Sequence, residues 1–536
     1  MSTSSADAVV IGAGHNGLVA ANLLAEKGWD VVVCEQASYP GGAVASAEVT
    51  APGFVTDLFS AFYPLAAASP IIAGLDLEAH GVRWSRSPAV LTHVMPEGGA
   101  ATLWQDAERT AESLEKTGSG NGGAWMRVTG QWDRIGKDVV AALLRPFPPL
   151  ASTAKVLRDL GTAEAMRLVR MALQPVRRYG EETFTGQAGP LIFAGNALHT
   201  DLPPDGAGSA IYGWLLTMLG HSVGFPVPVG GASALIEGLV RRAESYGAQV
   251  RLDTPVAAVD VEHGRAVGVR LESGEHLRAR KAVLADVGAP ALFGEMVGAQ
   301  HLPYRFMRDL DRFQWDAPTL KIDWALRRPV PWHDAGAAES GTVHLGADMD
   351  GLTDYAADLT TRRIPKRPFL VFGQMTTADP TRSPEGTESA WVYTHLPRHV
   401  QFTEEQIAEQ VDRVEATVEA QAPGFRASII ARQVQAPDDL QRRNPNLVTG
   451  AVNGGTAQLH QQLVFRPVPG LGTAATPVDR LFLSGSSAHP GGGVHGACGS
   501  NAAHAALARN AATGPVRRKL QDSWMKRIYR PEDAEN

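Results

Sequence analysis

The chain has 536 residues, 44% of them apolar and 20% charged, a balance that supports a large core in two or three domains and excludes wholesale disorder. With 49 Lys and Arg against 56 Asp and Glu, the net charge of −7 offers no global basic field, so no nucleic-acid partner is expected. The two cysteines, Cys34 and Cys498, exclude a disulfide scaffold, a cysteine-based zinc cage and a C-x-x-C redox pair, and no metal site is expected.

Residues 1–7 are short and polar, without signal or transit character, and no stretch reads as a membrane span; the expected setting is reducing and cytoplasmic. The apolar run Ala8-Val9-Val10-Ile11 suits a buried parallel strand and leads straight into Gly12-Ala13-Gly14-His15-Asn16-Gly17. A helix-forming stretch then runs to Gly28, and a second apolar strand, residues 30–34, ends at Glu35. Strand, glycine turn, helix, strand and acid is the order of a dinucleotide-binding crossover. Gly12 permits the tight turn, Gly14 lets a pyrophosphate approach the backbone, and Gly17 lets helix and strand pack closely. The helix start, with His15 and Asn16, offers N–H groups to phosphate; His15 is expected to pack or touch phosphate there. Glu35 is placed to accept both ribose hydroxyls and to repel a 2′-phosphate. The motif alone does not separate NAD from FAD.

Gly41-Gly42-Ala43 follows the acid, and residues 117–123, rich in glycine, read as an exposed loop. Between residues 137 and 178, eight Lys and Arg outnumber three Asp and Glu and interleave with leucines and valines, the pattern of a basic amphipathic surface able to dock on anionic lipid. Residues 206–236 contain no Asp, Glu, Lys or Arg, and read as the wall of an apolar tunnel or as an interior helix. Strands are expected at 247–252, 256–261, 266–272 and 282–286, followed by a mixed region, 301–435, with an amphipathic helix at 404–420. Residues 479–485 read as a last buried strand, followed by His489-Pro490-Gly491-Gly492-Gly493-Val494-His495-Gly496 and an alanine-rich helix to about 508. The second glycine match at 491–496 follows Pro490 instead of a strand and is not read as a second dinucleotide site. The tail repeats the basic-apolar theme with Arg517, Arg518, Lys519, Trp524, Lys526, Arg527, Ile528 and Tyr529.

The N-terminal fingerprint, the Gly41-Gly42 pair, the segment from Phe225 to Leu235 and the closing His-Pro-Gly-Gly-Gly stretch together resemble the FAD-dependent phytoene-desaturase and amine-oxidase superfamily. Within it, the likeness points to the phytoene-dehydrogenase-related proteins called pyridine nucleotide-disulphide oxidoreductase domain 2-like. The resemblance implies an α/β, Rossmann-like FAD domain (about 1–85, 229–300 and 440–515), a discontinuous α+β substrate domain (86–228 and 301–439) and a basic tail (516–536). It implies non-covalent FAD held by Gly12, Gly14, His15, Asn16, Gly17, Glu35, Gly41, Gly42, Ala43, Val256, Gly485, Gly493, Val494 and Gly496, with His489 and His495 as candidates to line the ring. Two departures stand out: Ala43 replaces an Arg that many relatives carry, and Ser486 and Ser487 replace an Asp after the last strand's glycine. The expected activity is hydride removal from an apolar, polyene- or lipid-like small molecule, desaturating or isomerising it. A flavin amine oxidase, with Lys321 as a weak candidate for the flavin-adjacent lysine, and a flavin-binding regulator with little turnover are the alternatives. Peripheral membrane contact follows from the basic amphipathic stretches, and nothing in the pattern specifies an oligomeric state or a general base.

Overall fold

The computed structural model describes residues 4–529; the first three residues of the polar amino-terminal segment and residues 530–536 of the basic tail lie outside the described residues. A parallel sheet runs in the order Gln249–Arg251, Val31–Cys34, Ser4–Ile11, His276–Ala285, Leu481–Leu483, and its apolar stretches 8–11, Val31–Cys34, 282–285 and Leu481–Leu483 are buried on both faces. The helices His15–Glu26, Ala232–Ser245 and Ala497–Asn510 bury one face, through residues such as Leu18, Val19, Leu239 and Ala503. Phe293, Phe306, Leu310 and Tyr529 cover the other. His276–Ala285 is longer than the strand expected at 282–286: its first half pairs antiparallel with Arg265–Leu271, which pairs in turn with Val256–Glu262.

A second, seven-stranded sheet runs Ile429–Gln435, Thr319–Leu326, Glu388–His395, Leu370–Gln374, Ser340–Leu345, Ala89–Val94, Ala100–Leu103. All neighbours are antiparallel except the parallel pair Ser340–Leu345 and Ala89–Val94. The period of two along Thr319–Leu326 decides what it shows to each side. Ile322, Trp324 and Leu326 pack with Phe372, Phe425 and the helix Glu404–Gln421, whereas Thr319 and Lys321 face a cavity on the opposite side. That helix starts with a reciprocal Thr403–Gln406 capping box. Helices Ala188–Leu198 and Ser209–Val223 cover the cavity side of the sheet.

The glycine-rich segment 117–123 is not wholly a loop. Asn121 is buried and opens the helix Asn121–Leu143, because its side-chain amide donates to the Thr185 carbonyl and accepts the Thr185 N–H. A tertiary partner 64 residues away overrides the local glycine signal.

Candidate active site

At the first crossover, Gly12 has φ +91°, and a Cβ built there would lie 2.8 Å from the Asp286 carbonyl oxygen. A Cβ on Gly14 would lie 2.5 Å from Asp286 Oδ2, and one on Gly17 would collide with the Gly12 carbonyl. The Gly17 N–H donates to Asp286 Oδ2 at 2.9 Å. The turn is thus crowded by Asp286, a residue unsuspected from its own surroundings, as well as shaped for a ligand. Burial raises the Asp286 carboxyl to about 7, with Glu35 adding to the rise and the Gly17 N–H opposing it. Gly41 donates its N–H to the Ala13 carbonyl at 2.9 Å, and Gly42 stacks against the Gly14 backbone. Glu35 is buried at the end of its strand and accepts the Ala13 N–H (2.7 Å) and the Ala37 N–H (2.9 Å). Its carbonyl accepts the Thr254 N–H at 2.7 Å, which carries the chain past Glu35 into Val256.

From the other end of the chain, Gly485 packs on Val287 and Asp286, and Gly493 and Val494 line the cavity. His15 Nε2 lies 3.2 Å from the Gly493 carbonyl, tying the first turn to the last. Gly496, φ +71°, caps the helix Ala497–Asn510 and packs on Val19 and Ile72. Gly499 touches the Asn16 backbone so closely that the two helices admit no side chain between them. His495 lines the cavity and accepts the Ala497 N–H on Nδ1 at 3.0 Å. His489 turns away, donating Nε2–H to the Arg145 carbonyl at 3.0 Å, and is not among the cavity walls. Burial depresses His15 and His489 to about 4 and His495 to about 3, so all three are neutral at physiological pH.

The cavity, about 340 Å³, opens between this crossover and the second sheet. Ala43, Val44, Gly493 and His495 form one end; Leu215, Leu216, Leu219, Phe225 and Leu143 form an apolar side; Trp391, Tyr393, Thr319 and Lys321 form the sheet wall. Trp391 and Tyr393 stack at 6.0 Å and 10°, two residues apart on the same face of their strand. Lys321 is the one charged side chain among the described lining residues, and its ammonium is held by buried Asp323 two residues along the strand. Burial pushes the Asp323 carboxyl up while Lys321 holds it down. The loop 452–456 is pinned from both sides: buried Asp316 accepts the N–H groups of Val452, Asn453 and Gly455, and buried Arg466 donates to the carbonyls of Asn453, Gly454, Gly455, Thr456 and Ser486.

Residues 17–507 match the family of flavin containing amine oxidoreductases. The chain belongs to this family. It is 29% identical over 543 residues to the pyridine nucleotide-disulfide oxidoreductase domain-containing protein 2 of Rattus norvegicus, covering 93% of this chain and 92% of the relative. It is 26% identical over 542 residues to the neurosporene-forming phytoene desaturase of Cereibacter sphaeroides, covering 95% and 96%. Wild-type putrescine oxidase bound to putrescine shares the fold at a TM-score of 0.60 and 16% identity, covering 94% of this chain and 99% of that one. The protein is therefore an FAD-dependent oxidoreductase of the amine-oxidase and phytoene-desaturase superfamily.

The groove fits FAD on its own geometry. Both side-chain atoms of Asn16, Ser484 Oγ and Asn453 Nδ2 are buried without a hydrogen-bond partner, a cost that a polar ligand would remove. The glycine turn and Asn16 would hold the pyrophosphate, Glu35 and the backbone near Val256 the adenosine half, and Ala43, Gly485, Gly493, Val494 and Gly496 the flavin half. Bound there, FAD would supply a hydride acceptor, and the chain would supply position and a helix N-terminus at Ala497 that favours negative charge beside it. The pinned loop and the Asp286 contact escaped sequence reading. The single local hint was the Asn453-Gly454-Gly455 run, a glycine pair before a polar segment.

Proposed function

We propose that the enzyme dehydrogenates, and so desaturates, or else isomerises an apolar lipid- or polyene-like small molecule, by hydride transfer to non-covalently bound FAD. The observation that carries this reading is the wall chemistry: among the described lining residues there is no Asp or Glu to receive an ammonium, and the ammonium of Lys321 is already neutralised by Asp323. An amine substrate would find no free anion on the wall to pair with, whereas an apolar chain would meet Phe62, Leu215, Leu216, Leu219 and Phe225. Non-covalent attachment is supported by Cys34 and Cys498 being buried, their thiols pushed up by burial to about 11 and about 12. The relative named a phytoene desaturase favours the same class of substrate. Anaerobic mixing of the yellow protein with phytoene in detergent should bleach the flavin, and putrescine or benzylamine should not. Bleaching by the amines alone would overturn the reading, and a flavin indifferent to both would favour a regulatory protein.

Among the described residues no helix is long and apolar enough to cross a membrane. Surface docking on anionic lipid is the second part of this proposal, because the helix Leu150–Leu173 exposes Leu150, Leu157, Met166, Val169 and Leu173 beside Arg158 and Arg167.

A further inference from the structure

Behind the sheet wall of the cavity lies a set of titratable groups that cofactor binding does not use. Thr319 faces the cavity and stands opposite His395 in the register of the two neighbouring strands. His395, buried, places Nδ1 3.5 Å from Thr319 Oγ1 and Nε2 2.7 Å from Asp201 Oδ1. Asp201 reaches the ring from just beyond the helix Ala188–Leu198 by adopting φ +60°, a left-handed conformation that costs a non-glycine residue free energy. Its other oxygen accepts the Ala317 N–H at 2.8 Å, which fixes the carboxylate's direction. Carboxylate, imidazole and hydroxyl therefore stand within contact of one another, with the hydroxyl at the cavity; the Nε2–Oδ1 contact is short, but in this ring orientation neither atom completes a hydrogen bond.

We infer that Asp201, His395 and Thr319 form a proton-accepting relay for the dehydrogenation. The inference rests on the proposed reaction, which releases a proton as well as a hydride. One C–H bond leaves with its electron pair to reduce the flavin, and the neighbouring C–H bond then breaks heterolytically, its electrons becoming the new π bond. Its proton passes to Thr319 Oγ1 as the hydroxyl's own proton passes to His395 Nδ1, leaving an imidazolium beside the Asp201 carboxylate. Carbon that has lost hydride makes the adjacent C–H strongly acidic, so a weak but placed acceptor is enough. Of the other titratable groups on the wall, Lys321 is engaged by Asp323, His199 by His344, and His15 and His495 by the backbone of residues 493–497.

Titratable groups face His395 from each element packed on it: Asp201, Asp316 at the entry to its neighbour strand and His199 at the cavity act on its charge, Tyr393 on its own strand packs against the ring, and the Tyr355 hydroxyl accepts the His395 backbone N–H at 2.8 Å. Burial pushes the imidazole down, and Asp201, with Asp316 behind it, more than offsets this, so it titrates above its ordinary 6.5.

The test is made on FAD-loaded protein labelled with ¹⁵N-histidine. One imidazole, identified by its loss in His395→Gln, should titrate above 6.5 by NMR; Asp201→Asn should move that titration acidward, and Thr319→Val should shift its Nδ1 resonance without changing the flavin spectrum. In anaerobic stopped flow with phytoene micelles, flavin bleaching should rise with deprotonation of the same group. It should slow about a hundredfold in T319V, recover in T319S, and move its acid limb with D201N. An imidazole unmoved by D201N, or bleaching indifferent to T319V, overturns the relay. If phytoene does not bleach the wild-type flavin, the substrate reading falls, and the relay is decided by the three NMR outcomes alone.

Discussion

Asp286 and Gly14 share one small volume, so space and charge at the glycine turn cannot be separated by a single substitution. A side chain at position 14 would meet the Asp286 carboxyl, which cannot swing away while it accepts the Gly17 N–H. Gly14→Val should therefore purify colourless, its flavin-to-protein absorbance ratio near zero. Pairing Gly14→Ala with Asp286→Ala separates the causes: recovery of colour assigns the clash to Asp286, and continued loss assigns it to the phosphates. Charge gives a second prediction. The folded Asp286 carboxyl titrates near 7 against 3.8 for the ordinary group, so it is neutral in acid and ionised in base. Its stabilising contribution is complete below about 3.8 and is lost as pH rises through about 7. Ionisation also puts a negative charge beside the turn that faces the pyrophosphate. FAD affinity should fall between pH 6 and pH 8.5 by about tenfold, equivalent to ~1.4 kcal/mol, and Asp286→Asn should flatten that profile in equilibrium dialysis. A wild-type profile as flat as the variant's would remove Asp286 from cofactor binding. The glycines of this turn were legible from their spacing; Asp286 was not, because its partner lies 269 residues away and the sequence around it reads as an ordinary strand end.

Elements show why apolar character alone was ambiguous. Along Ser209–Val223, Tyr212, Leu215, Leu216 and Leu219 recur at helical spacing and face the cavity, whereas Ala210, Trp214 and Met218 face the core. Because both faces are apolar, the sequence admitted a tunnel wall and an interior helix equally, and the helix is both. The neighbouring strand carries the complementary lesson: Thr319, Lys321 and Asp323 alternate with Leu320, Ile322 and Trp324, and the polar positions are as buried as the apolar ones. Alternation normally separates core from solvent; here it separates core from cavity. Leu216→Trp should extend its ring into the cavity, with FAD retained and the melting temperature little changed. The polyene concentration for half-maximal bleaching should rise tenfold or more. Equal loss of flavin would mean that this helix shapes the cofactor groove and not the substrate side.

At the scale of the whole molecule, the exposed apolar residues and the cavity meet at one edge. The helix Asn121–Leu143 ends at Leu143, which lines the cavity, and the turn after it donates the Phe147 N–H to the Gly472 carbonyl. Trp524, from the C-terminal helix Gly514–Ile528, donates its indole N–H to the Gly470 carbonyl of the same segment, and Val516 and Leu520 of that helix are exposed. The exposed leucines of Leu150–Leu173 begin just past that turn, so a bilayer covering both helices would sit beside the Leu143 end of the cavity and deliver an apolar substrate without passage through water. Many of the basic side chains counted from the sequence are paired, Lys155 with Asp138, Arg167 with Glu164, Arg170 with Glu182 and Arg177 with Asp205 and Asp350. In the proposed docking, charge would accordingly contribute less than the tally of residues implies, and apolar insertion would carry more of it. Met166, Val169 and Leu173 lie on one helical face; replacing all three with Glu should reduce co-sedimentation with phosphatidylserine vesicles at least tenfold, from apolar burial of about 1.5–3 kcal/mol per fully inserted side chain. Raising salt should weaken wild-type binding only modestly, since screening acts on the charges and not on the insertion. If the triple variant binds as well as wild type while salt abolishes binding, docking is electrostatic and the apolar edge has another role. If wild-type protein never sediments with vesicles, the docking proposal falls.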